Sequence, residues 1–376
     1  MKFGFCAVLA AGWIGSGLCW GQAVRVLAAP KAVYPVPMVD GNSPSIWVDG
    51  ALRVYTSTGD PLAMTGTSIF NLRQSQSPEV TPRDHYPIWL ESVWADADGT
   101  IYAWYHHEPG GVCPGGKLTA PKIGALVSTD GGQTFRDLGI VLETGDALNC
   151  SAANGFFAGG HGDFSVIPDR QGQYFYFLFG NYSGPLEHQG VAVARMALED
   201  RANPVGAVRK YYQGDWSEPG LGGMVTPVYR AQNSWESSAP ESWWGPAISW
   251  NRHLNAYVMV MNKTCCDTGW PQEGIYLAVI GELSDPGHWG LPVKILDAEQ
   301  VDFAPAFYPQ VVGIDEGDTD TQAGQVARLF VKGVSDWEII FYTEDEAAGN
   351  GGPVPGPEPP EDSKGKQIPV QRGPGQ

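Results

Sequence analysis

Four acidic residues in this sequence invite a proton-transfer reading: Asp40, Glu91, Asp163 and Glu241. Two carboxyls that face one another and differ in protonation can protonate a leaving group and deprotonate a water. Around them fall His106-His107-Glu108, His161, Asn181-Tyr182 and Lys263, each closing or opening a short apolar run. Imidazoles and carboxylates can also hold a metal, but no ligand spacing on one element supports that here, and no metal site is expected. Trp243, Trp244 and Trp270 are expected in upper loops and could offer flat stacking faces. Each residue also has a plainer reading. Asp40 precedes Gly41-Asn42 and could simply shape a turn. Glu91 interrupts Ile88-Trp89-Leu90 and needs a partner, either Arg83 or a histidine. His106 and His107 are strand neighbours, so at most one faces a common site.

A repeated unit must position these residues. Five strand–turn–strand segments lie between about residues 44 and 332. They turn at Val48-Asp49-Gly50, Asp96–Gly99, Pro168–Gly172, Trp250–His253 and through the acidic loop Asp315–Gln325. Repetition of one such unit with Asp/Gly turns predicts an all-β, five-bladed β-propeller. Blades are expected over 38–82, 83–147, 148–225, 226–300 and 301–345. The strand from residue 24 should join the last blade and close the ring, since an open sheet edge is a liability. With every turn pointing down, Asp40, Glu91, His106, His107, Glu108, His161, Asp163, Asn181, Tyr182, Lys263 and Cys265-Cys266 share the upper rim.

Composition agrees. The 376 residues are 43% hydrophobic and only 17% charged, with 49 Gly and 30 Pro, natural for a chain built of turns. A net charge of -18 excludes a nucleic-acid partner, because phosphate binding needs Lys and Arg. Residues 1–23 read as a secretory signal: Lys2, then an apolar run too short to span a membrane. A secreted or periplasmic monomer is expected. Residues 346–376 are Gly, Pro and charge, a composition that cannot bury enough surface to fold. Beyond the signal lie Cys113, Cys150, Cys265 and Cys266. An even count in an exported chain suggests disulfides. Cys113–Cys150 with a vicinal Cys265–Cys266 is favoured; the alternative joins Cys265 and Cys266 each to a loop cysteine.

Ser128-Thr129-Asp130-Gly131-Gly132-Gln133-Thr134-Phe135 fits S-x-D-x-G-x-T-[WF] and resembles the Asp-box of sialidases and other propellers. In those families the box lies away from the active site, so Asp130 takes a structural role. The segments Val39–Trp47 and Gly160–Val166 resemble the first- and third-blade strand starts of five-bladed propeller glycosidases of the arabinanase and xylosidase type. That resemblance implies Asp40 as general base and Asp163 as the carboxylate that orients substrate and tunes a pKa. In the fourth blade the family carries a Glu-Gly-Pro acid, whereas this chain has Trp244-Gly245-Pro246. Glu91 or Glu241 would then be the acid.

The resemblance implies a glycoside hydrolase with carbohydrate as partner and no cofactor, a structural calcium being left open. His106, His107, His161, Tyr182, Trp243, Trp244, Lys263 and Trp270 are the expected substrate contacts. A sugar-binding propeller without catalysis is the alternative, supported by Trp244. A sialidase-like hydrolase comes next, weakened by a single box and the lack of an arginine triad. Lyase chemistry through Tyr182 and His161 is a distant fourth.

Overall fold

The computed structural model describes residues 24–36, 39–301 and 307–347. Their strands form five sheets, each opening with one of the expected hairpins. These are Ser45–Val48 with Ala51–Ser57, Ile88–Ala95 with Ile101–His107, His161–Pro168 with Tyr174–Asn181, Ser242–Asn251 with Ala256–Thr264, and Pro309–Gly313 with Val326–Val331. Third strands follow at Pro61–Gly66, Lys122–Ser128, Gly190–Ala197, Gln272–Ile280 and Val334–Phe341.

Packing arranges the sheets in a ring. Each junction between neighbouring sheets has its own apolar cluster. Tyr55 and Leu90 share one between the first and second sheets. Trp104 and Phe177 share the next, then Ile167 and Met259, then Val258 and Leu329. Val54 and Phe330 lie in the cluster that joins the fifth sheet to the first. Five junctions linking five sheets in a cycle make a five-bladed β-propeller. Burial of these strands on both faces is the main driving force for the ring.

The first described strand, Val24–Val33, runs antiparallel to Val334–Phe341 as the outermost strand of the fifth sheet. Three short strands cross the sequence-drawn blade boundaries. Glu79–Thr81 lies parallel to Thr134–Leu142 in the second sheet. Tyr229–Arg230 pairs with the third. Gln322–Ala323, from the acidic loop, pairs with the inner strand of the fourth. All three use backbone groups that would otherwise end unpaired at a sheet edge.

Cys113 is bonded to Cys150, joining the loops above the second and third blades, and Cys265 is bonded to Cys266. Glu346, assigned to the tail by its composition, instead belongs to the short helix Glu344–Ala347, where it accepts the Thr343 N–H at 2.7 Å. The expected signal over 1–23 and the tail from 348 onward lie outside the described residues. No helix among the described residues is long and apolar enough to cross a membrane.

Candidate active site

The inner strands of the second, third and fourth blades each carry an irregularity at the upper end. In the second, Leu90 pairs with Tyr105 and Ser92 with Trp104, which leaves Glu91 unpaired. In the third, Gly162 pairs with Gly180 and Phe164 with Phe179, which leaves Asp163 unpaired. In the fourth, the shift lies between Trp244 and Ala247. A bulge re-aims the residue it leaves over. Asp163 has φ 43°, a left-handed conformation uncommon outside glycine.

These residues meet at one cavity of about 240 Å³. Asp40, Glu91, Glu108, His106 and Asp163 supply its polar groups. Trp89, Phe156, Phe157, Trp244, Trp270, Phe307 and Tyr308 supply its aromatic walls. Asp40 is held from its main chain, which donates to Ser57 O at 3.1 Å. Trp89 Nε1 donates to Asp40 Oδ2 at 3.2 Å, and Tyr308 O–H to Oδ1 at 3.5 Å. Two glycines make the close approaches. A Cβ on Gly162 would stand 2.6 Å from His106 Cε1, and one on Gly41 would stand 3.2 Å from Glu91 Oε1.

The buried charges are tightly linked. Phe164 N–H donates to Glu91 Oε2 at 2.8 Å, while Glu91 Oε1 lies 3.4 Å from His106 Nδ1. The other imidazole nitrogen, Nε2, lies 3.4 Å from Glu108 Oε1. Asp163 N–H also points to Nδ1, at 3.2 Å. Nδ1 accepts that proton in the neutral ring and donates to Glu91 in the charged ring. Burial pulls the imidazole toward the neutral form, but Glu108 and Glu91 outweigh it and hold the ring well above its ordinary pKa. Glu91 is raised by burial, with His106 and the Phe164 N–H pulling back. Asp163 is pushed up to about 7 by burial, reinforced by the charge of Glu91 and opposed by His106 and Tyr182. Tyr182 O–H donates to Asp163 Oδ2. Among the described residues, Asp163 Oδ1 makes no hydrogen bond.

Of the residues singled out from the sequence, Asp40, Glu91, His106, Asp163, Trp244 and Trp270 line the cavity, and Tyr182 stands behind Asp163. Glu241 does not. It pairs with Lys263 at 3.1 Å, and Lys263 also holds Glu273 at 2.9 Å, so neither faces the cavity. Trp243 and Trp244 stand on the strand Ser242–Asn251 rather than in a loop, so their side chains alternate and Trp243 lies outside as well; its ring sits under Lys263 Nζ at 5.5 Å. The same alternation sends His107 to Pro87 O and the His85 ring. His161 is buried against Phe179, and burial holds its pKa well below the ordinary value. The partner of Glu91 is His106, while Arg83 pairs with Asp60.

Sequence reading missed Trp89, Phe156, Phe157, Phe307 and Tyr308 as wall residues and gave Glu108 no role. Glu108 follows the histidine pair directly, which is a usable signal. The phenylalanines come from loops, where no periodicity marks a facing direction. Asp130 lies at the lower end of the second blade. Its carboxylate accepts Gln133 N–H and Thr134 N–H at 3.0 Å each and Thr134 O–H at 2.7 Å.

No protein-family model matches this chain, and no curated protein matches it either. Solved structures similar to it include an exo-β-1,3-galactanase from Phanerochaete chrysosporium, at 13% identity and TM-score 0.47 over 85% of this chain. This chain spans 64% of that protein's length. The endo-arabinase of Bacteroides thetaiotaomicron is similar at 10% identity and TM-score 0.46, covering 84% of this chain and 98% of its own. The α-L-arabinanase of Cellvibrio cellulosa gives 12% identity and TM-score 0.47, covering 81% and 92%. Likeness at this level assigns no role to any residue.

Proposed function

We propose that this protein is a secreted glycoside hydrolase acting on poly- or oligosaccharide through paired carboxyl groups. The observation that carries the reading is the convergence of Asp40, Glu91 and Asp163 at one aromatic-walled cavity. A sugar ring offers apolar C–H faces and hydroxyl edges. Aromatic walls suit the faces, and carboxyls accept from the hydroxyls. Glycoside hydrolysis asks for one protonated carboxyl at the leaving oxygen and one ionised carboxyl for water.

Hydrogen-bond accounting distributes the roles. Glu91 has one oxygen on the Phe164 N–H and the other facing His106, so it is poorly placed to present a proton. Asp163 has Oδ1 unengaged and a pKa lifted to about 7 by burial, which suits a proton donor. Asp40, with its carboxylate fixed by Trp89 and Tyr308, is the base. Glu91 and His106 then set the charge around Asp163. This gives Asp163, the modulator by the family resemblance, the acid role expected of Glu91 or Glu241, and gives Glu91 the modulating one.

The second reading is a sugar-binding propeller without hydrolysis. Trp244, buried in the wall where a fourth-blade acid would stand, favours it. No arginine lines the cavity among the described residues, so the sialidase reading has no support there. The test is a screen of the purified protein on arabinan, β-1,3-galactan, xylan oligomers and aryl glycosides, with calorimetry beside it. Hydrolysis supports the first reading. Binding without turnover supports the second, and neither result with any sugar rejects both.

A further inference from the structure

Phe156 is 53% exposed yet forms part of the cavity wall, so it stands at the mouth. One exposed apolar ring is ordinary by itself; its place at the cavity mouth, on an anchored backbone, is what makes it available to a ligand. The anchor is Asn154, which is buried. Its Oδ1 accepts the N–H groups of both Phe156 and Phe157 at 2.7 Å, and its Nδ2 donates to Phe157 O at 2.8 Å. Trp270 Nε1 donates to Asn154 O at 3.2 Å, and the Phe156 and Trp270 rings meet edge to face at 4.9 Å. The Cys113–Cys150 bond ties the same loop to the one above the second blade. The ring is therefore presented on a braced loop.

The cavity behind it is small. Its 240 Å³ lies below the roughly 300–1,000 Å³ typical of sites for drug-sized ligands, and suits one ring rather than a chain. Phe156 is the most exposed side chain in the lining, so a longer chain leaving the cavity can run across its ring. We infer that Phe156, backed by Trp270, is a stacking platform for the second sugar unit of a chain whose terminal unit fills the cavity. The inference rests on the carbohydrate reading above and makes the ligand an oligosaccharide of two or more units, bound by its end.

The test uses calorimetry on the full chain with galactose, arabinose and xylose and with their β-1,3-, α-1,5- and β-1,4-linked trisaccharides. Wild type is compared with Phe156→Ala and Phe156→Tyr, each checked for an unchanged melting profile. For whichever sugar binds, Phe156→Ala should weaken the trisaccharide about tenfold, the upper range of a lost aromatic contact. Its monosaccharide affinity should fall distinctly less than its trisaccharide affinity, and Phe156→Tyr should restore trisaccharide binding. An unchanged trisaccharide affinity, or equal loss for both ligands, overturns the platform and leaves the sugar reading standing. Failure of wild type to bind any of the six overturns both.

Discussion

Glu91 and Asp163 occupy equivalent places in adjacent blades: each is the residue that an inner-strand bulge leaves unpaired. The bulges also interlock. Phe164, next after Asp163, donates its N–H to Glu91 Oε2, so a side chain of one blade is tied to the main chain of the next. His106 lies between Glu91 and Glu108 with the Asp163 amide at the same nitrogen. Buried Glu91 and half-buried Glu108 thus flank one imidazole, with the buried Asp163 carboxyl nearby, an arrangement whose desolvation cost is partly met by protonation.

Asp163 gives that cost a pH signature. Its folded pKa is raised from 3.8 to about 7, so the folded protein holds a proton that the unfolded chain releases. This contribution to stability is complete below pH ~4 and is lost as pH rises through ~7. Asp163→Asn cannot ionise. Its melting temperature should match wild type near pH 4 and exceed it increasingly toward pH 8. Hydrolysis should behave oppositely: wild-type activity falls above pH ~7, and the variant loses about 100-fold or more.

Asn42 carries a structural expectation. Its Nδ2 donates to Phe164 O at 2.8 Å and to Pro246 O at 3.2 Å, bridging three blades at the axis. Asn42→Ala would leave two buried carbonyls unpaired. Chemical denaturation should show a loss of about 2–4 kcal/mol.

The five hairpins and the shared upper rim were legible because Asp/Gly turns recur between short apolar runs. Asp40, Glu91, His106 and Asp163 could be placed there because strand direction alone decides which end they occupy. The bulges were not legible: a period-two pattern cannot say which residue will be skipped, and that choice aims Glu91 and Asp163. Glu241 and Lys263 were over-read because their mutual pairing depends on a register that the sequence does not display. Phe156 and Tyr308 escaped notice because a loop's path, not its composition, brings their rings to the cavity.

Glu241→Gln offers a contrast with Asp163→Asn. The residue pairs with Lys263 outside the cavity. Its substitution should leave turnover within about twofold, since the wild-type carboxyl stays on Lys263 and away from the cavity. Initial-rate assays beside Asp163→Asn check this.

Asp130 separates stability from activity. Burial is the largest single influence and opposes the charged form, but the hydrogen bonds, led by Thr134, together prevail and lower its pKa to about 2. Its contribution is present above pH ~4 and is lost as pH falls toward 2. Asp130→Ala should cost about 1 kcal/mol at pH 7, less near pH 2, and leave sugar hydrolysis unchanged. Thermal melts across pH, paired with rate assays, measure both.

The most direct test is hydrolysis of oligosaccharides by the wild-type chain and by Asp40→Asn, Asp163→Asn and Glu241→Gln, followed by product analysis. Wild type and Glu241→Gln should cleave, and both Asp40→Asn and Asp163→Asn should lose cleavage with the fold intact. Cleavage that survives both aspartate changes would contradict it.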